Sequence, residues 1–299
     1  MELSWLMRLR IAAAVATGVV LIGILAWPLA ASSGPFGTVR AGAISFGGAV
    51  ILVILALLAG LIAYFLSWPY GREIGILAAP SGLAIWAVRS GNMTALMQLN
   101  PTAAQRQALL TTLKWEPIFW LVIVAAGFAG VLLGQKIQSN LKPDETQEKS
   151  NSQPGKYLNA IIALVGSGLI AQFCLKIFAQ DVRIFDNRLV SVMAQPTVGQ
   201  IVFAVLVSFG LAAFVVKRFL HASYIWPTIA SALVTAFAIS IYVKQDVLQY
   251  LVQNWPAAFF SNTVISILPV QMVAFGTLGS IIGYWMAVRY DYWRKHGMK

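Results

Sequence analysis

Chemistry in a protein needs side chains that titrate, ligate or attack, and this chain has few of them. It holds two histidines, one cysteine and ten carboxylates among 299 residues. His221 sits in a short loop beside Lys217 and Arg218, where it reads as a head-group contact, and His296 lies in a basic C-terminal tail. Two distant histidines and one cysteine cannot build a zinc site, a haem ligand pair or an iron–sulfur site. No metal and no cofactor are expected. Cys174 has no partner for an intramolecular disulfide. Ser167, in "VGSGL", would need a base at its side to act as a nucleophile, and no histidine falls inside an apolar stretch. Ser139 and Lys142 match Ser-x-x-Lys in a polar segment that orients neither. These residues argue against an enzyme.

The carboxylates sit in loops or at the ends of apolar stretches. Acids within a membrane normally mark ion or proton paths, so a carboxylate-based proton pump is disfavoured unless Glu73 or Glu116 is drawn into a cavity. Glu73 opens an apolar segment, where the helix dipole alone favours a carboxylate. Beside it stand the other candidates for a solute path. Pro80 and Gly82 interrupt the run Ile74–Val88 and should kink or break it. Gln172 and Lys176 share a helical face four residues apart; the ammonium either snorkels to the head groups or holds an anion. Pro269 frees the carbonyl of Ile265, and Gln271 then satisfies a neighbouring helix or meets a solute.

The elements that must position these residues are membrane helices. Mean hydropathy is +0.76, 59% of residues are hydrophobic and only 10% are charged, against about 25% charged in a soluble domain. Spans are expected at 10–31, 44–67, 117–134, 157–178, 198–216, 225–243 and 262–288, each close to the length that crosses about 30 Å of hydrocarbon. The first resembles a signal peptide but suits an uncleaved signal anchor. The stretch 74–88 is short for a span and either crosses or re-enters.

Charge arbitrates, because loop Lys and Arg concentrate on the cytoplasmic side. If 74–88 does not cross, the 21 basic residues divide ten to eleven. If it crosses, thirteen fall inside, and only Arg40, Arg89, Arg106, Lys114, Lys176, Arg183, Arg188 and Lys244 fall outside. The expected fold class is therefore an all-α polytopic membrane bundle of eight helices, N-in and C-in. Seven helices plus a re-entrant segment is the alternative. The formal charge of +11 then meets anionic lipid at the cytoplasmic face; no basic soluble domain exists to bind nucleic acid. The localisation that follows is the plasma (inner) membrane.

Residues 1–134 form a first four-span half, 135–156 a polar cytoplasmic linker, and 157–299 a second four-span half with its basic tail. Trp-Pro occurs at 27–28, 68–69, 226–227 and 255–256, each near a span end, where Trp prefers the head-group level. Both fourth spans carry GxxxG, at Gly130 and Gly134 and at Gly279 and Gly283, which lets helices approach closely. Unequal spacings weigh against a duplication. Three outer connectors have helical amphipathic spacing: 100–114, with Asn100 as N-cap and Pro101 at the first position, 181–192, and 246–254.

Two functions fit. The first is a transporter or permease-like protein for a neutral or anionic small solute or lipid, built on 74–88 and Pro269–Gln271. The second is a non-catalytic scaffold or assembly subunit, associating with other membrane proteins or with itself. A polar, water-accessible cavity between the two broken segments favours the first. A closed bundle with exposed glycine grooves favours the second.

Overall fold

The computed structural model describes residues 4–30, 37–141 and 156–297. The chain folds as α1 (Trp5–Gly18), continued by a π-helical stretch Val19–Leu25, then α2 (Trp27–Ala30), α3 (Phe46–Leu66), α4 (Gly71–Ile74), a 3-10 turn Gly75–Leu77, α5 (Ala78–Arg89), α6 (Met93–Leu99), α7 (Ala103–Leu113) and α8 (Glu116–Leu141). The second half runs α9 (Lys156–Phe178), β1 (Arg183–Asp186), β2 (Val190–Ala194), α10 (Val198–Leu220), α11 (Ile225–Tyr242), α12 (Gln245–Asn254), β3 (Phe259–Phe260) and α13 (Pro269–His296). Seven helices among the described residues are long and apolar enough to cross a membrane; an eighth candidate is Gly71–Arg89, bent by 51° from Met93–Leu99. The protein is an integral membrane protein built as a helical bundle.

The 74–88 segment is not broken where its sequence suggests. Residues 74–83 are all buried, as expected of a helix apolar on every side. Pro80 is the third residue of α5, where a helix has no intrahelical use for the missing N–H. Gly82 admits a neighbour: a Cβ there would overlap the Gly18 carbonyl. The bend falls instead at Ser90–Asn92, where the Asn92 side chain caps α6 by accepting from Ala95 N–H at 2.9 Å. Arg10 stacks on Tyr70 and Arg89 on Trp27, so α4–α5 lies parallel to the first helix along its length.

Other boundaries differ as well. The last helix starts at Pro269, so Pro269 and Gln271 do not interrupt a span. Pro occupies the first helical position, which it favours, and Gln271 Oε1 accepts the Leu268 N–H at 3.1 Å. Residues 181–192 form a β-hairpin rather than a helix. Val182, Ile184, Val190 and Val192 are β-branched, and Asp186 closes the turn by accepting from the Arg188 and Leu189 amides at 2.8 and 2.6 Å. The 100–114 helix begins later than expected, because Thr102 and Gln105 make a reciprocal capping box while Asn100 turns back to Leu96 O. Helix α8 continues to Leu141, so 135–141 is helical; the rest of the linker expected at 135–156 lies outside the described residues, apart from Lys156, which opens α9.

In both halves the first and third spans run side by side, and the second and fourth are each other's main partner: α3 with α8, α10 with α13. The halves meet through α5 on α13, α11 on α8, and α8 on α13. At one end of the bundle, α6, α7, α12 and the three-stranded sheet β1-β2-β3 form a cap. Gln195 staples it: its carboxamide accepts from Thr94 N–H at 3.2 Å and donates to Ser266 O at 2.9 Å.

Candidate functional site

The two segments expected to line a solute path do come together, as a sealed seam. Helices α5 and α13 pack along each other, and residues 74–83 and 263–277 are buried throughout. Gln271 is fully buried, and its Nε2 donates to Ala87 O at 3.1 Å. With its Oε1 on Leu268, the side-chain groups that could have met a solute are spent on backbone. Pro269, Pro80 and Gly82 contribute helix geometry and close packing. Glu73 is exposed.

The glycine pairs lie inside the bundle. A Cβ on Gly130 would overlap Leu57 O, one on Gly134 the Tyr64 ring, one on Gly279 Leu206 O, and one on Gly283 Gly210 O. These glycines face helices of the same chain; Gly130, Gly279 and Gly283 each let a backbone approach within carbonyl contact, and Gly134 makes room for the Tyr64 ring. Ser167 donates to Ala163 O, a local helix bond.

Gln172 and Lys176 lie elsewhere, at the cap ends of α9 and α11. A cleft of about 190 Å³ opens there. Its polar lining is Gln172, Tyr242, Ser261 and Asn262; its apolar lining is Leu189, Ala238, Ile241, Val247 and Ile265. Lys176 is exposed one turn beyond Gln172.

Two polar clusters escape a reading by sequence spacing. In the first, Glu116 is 4% exposed at the start of α8, with Arg40 Nε 3.9 Å from its Oε1. The Ala41 and Gly42 amides and the Trp120 indole face this carboxylate without reaching good hydrogen-bond geometry. Trp27, Trp86 and Trp120 continue inward as edge-to-face pairs at 6.1 Å. The acid was visible in the sequence as a borderline case; its partner is 76 residues away in a loop, where no helical spacing points. The second cluster is Asp186, whose other oxygen accepts from Tyr250 Oη at 2.9 Å and Trp255 Nε1 at 2.8 Å. Desolvation pulls its pKa upward, but the bonds from Leu189, Trp255, Arg188 and Tyr250 outweigh it and hold the pKa at about 2. Its signal was "DNR", a turn sequence. Among the described residues, no three His, Cys, Asp or Glu side chains lie close enough together to hold a metal ion.

Comparison with known protein families, curated proteins and solved structures finds no match. What the fold defines by itself is a class: a polytopic helical membrane protein with a mixed α/β cap on one face.

Proposed function

We propose that this protein is a non-catalytic structural or assembly subunit of a membrane complex, with eight crossings and both termini cytoplasmic. The sealed α5–α13 seam carries this reading. A solute path needs convergent polar groups that a solute can reach, and along this seam the Gln271 carboxamide is buried and spent on backbone. The glycine faces are occupied internally, so recognition falls to the cap, whose hairpin leaves Phe185 80% exposed and Val190 71% exposed.

Eight crossings are supported by the parallel run of α4–α5 beside the first helix. Nineteen helical residues rise about 28 Å, near the hydrocarbon thickness. The N-in, C-in orientation rests on the thirteen-to-eight division of Lys and Arg. Aromatic rings under the basic residues opposite the cap, Lys217 over Tyr284, Arg218 over Tyr290 and Arg289 over Trp293, suit anionic head groups at the cytoplasmic face of a plasma (inner) membrane.

The halves read as tandem copies. Beyond their shared helix order, they reuse one contact, at offsets of 150 residues in the second span and 152 in the fourth. A Cβ on Gly60 would meet Gly127 O and one on Gly127 would meet Ala56 O; likewise a Cβ on Gly210 would meet Gly279 O and one on Gly279 would meet Leu206 O.

Photo-crosslinking from position 185 in native membranes tests the subunit reading. Discrete crosslinked species support it. A monodisperse monomer without crosslinks, which moves solute in proteoliposomes, contradicts it and favours the permease reading for a neutral or anionic small solute or lipid. The observation favouring that second reading is the cleft at Gln172.

A further inference from the structure

We propose that the cleft between the cap ends of α9 and α11 binds the phosphate-bearing head of a phospholipid from the surrounding leaflet. The proposal requires only that these helix ends lie at head-group level; it holds for a subunit or a permease.

The chemistry of the lining selects the ligand. Tyr242 is 2% exposed and lines the cleft, and its hydroxyl makes no hydrogen bond among the described residues. Asn262 Oδ1 accepts from Val264 N–H at 3.1 Å, which leaves its Nδ2 as a donor. The Gln172 amide and Ser261 hydroxyl add two more donors, without hydrogen-bond partners among the described residues. Gln172, Ser261 and Asn262 are half-buried beside the buried Tyr242, and donors lining one cleft suit an acceptor-rich guest. No carboxylate lines the cleft, and the Asp186 oxygens on the hairpin are held by four donors of their own. Basic side chains stand nearby, as does the carboxylate of Asp246, next to Val247 in the chain. Arg106, 6% exposed and without a carboxylate partner among the described residues, lies within electrostatic reach of Tyr242, and Lys176 stands one turn outward from Gln172. Acceptor oxygens carrying negative charge are what a phosphate diester offers.

The apolar lining selects a lipid over a free anion. Ala238, Ile241, Val247 and Ile265 would face the glycerol and first methylenes. Leu169, Phe173 and Phe237, on the same two helices, are 63%, 67% and 62% exposed, a surface along which acyl chains can continue. The cleft's volume suits a head group rather than a whole lipid, so the chains remain in the bilayer.

The test uses the full chain, purified and delipidated in detergent, with binding read by native mass spectrometry and by thermal shift. Phosphatidylglycerol is the probe; diacylglycerol and inorganic phosphate are the comparison arms. The expected result is one retained phosphatidylglycerol per chain, with no stabilisation by diacylglycerol and no displacement by millimolar phosphate. Tyr242→Phe combined with Asn262→Ala should weaken lipid binding about tenfold, the scale of losing hydrogen bonds to a charged group. Lys176→Gln, at an exposed position, should weaken phosphatidylglycerol and phosphatidylcholine alike, since both carry the phosphate diester. Equal stabilisation by diacylglycerol, or unchanged binding in both variants, overturns the proposal. Full displacement by inorganic phosphate also overturns it, by making the guest a soluble anion.

Discussion

The Asp186 carboxylate ties the hairpin turn to Tyr250 and Trp255, and its pKa of about 2 lies below the ordinary 3.8. A depressed carboxylate contributes stability that is full above its unfolded pKa and is lost as pH falls through its folded one. Cap order, followed by Trp255 fluorescence, should therefore hold at pH 5 and fall away below about pH 4 towards pH 2. Asp186→Asn should loosen the cap at neutral pH, since an amide nitrogen cannot accept from these donors. Gln271→Leu strands the Leu268 N–H in the core and leaves the Ala87 carbonyl with the Ser90 hydroxyl as its side-chain donor. An orphaned buried group costs about 1–3 kcal/mol, so this variant should melt lower than wild type. The sequence showed Gln271 as a buried polar residue of undecided role. It could not show that both of its partners would be backbone, one of them 184 residues away.

At the scale of elements, helix contact in this bundle depends on missing Cβ atoms. Gly283→Val puts a side chain into the Gly210 carbonyl and forces α10 and α13 apart, at a cost of about 3 kcal/mol or more. Gly166→Ala meets nothing within 4 Å and should stay within about 1 kcal/mol of wild type. Yield and melting temperature of the two variants in detergent check the contrast. Long apolar periods and the GxxxG pairs were legible because composition alone determines them. The starts of α5 and α13 were not, because Pro at a first turn and Pro at a break look alike in sequence. The hairpin was misread as a helix because Val182, Phe185 and Leu189 happen to keep helical spacing. The β-branched residues and the Asp-Asn turn carried the better signal.

For the whole molecule, the account predicts that Gln98, exposed on α6, and the 183–194 hairpin face one compartment, and that Ser139 and His221 face the other. Impermeant labelling of single cysteines, in a chain with Cys174→Ser, checks this; labelling of a Gln98 cysteine from the cytoplasmic side would contradict it. Membrane class and span positions followed from hydropathy. The tandem order of helices did not, because unequal spacings in sequence, such as Trp115 to Gly130 against Trp255 to Gly279, hid contacts that recur in space. The central claim is that the α5–α13 seam is sealed. It is tested most directly by cysteines at Ser81, Thr277 and Ser280, all buried and all close in size to the substituted residue, probed with a small water-soluble thiosulfonate in intact membranes. The account predicts that all three stay unlabelled while a cysteine at Ser261 in the cleft reacts. Labelling at Ser81 and Thr277 from the aqueous side would reveal a water-filled path and contradict it.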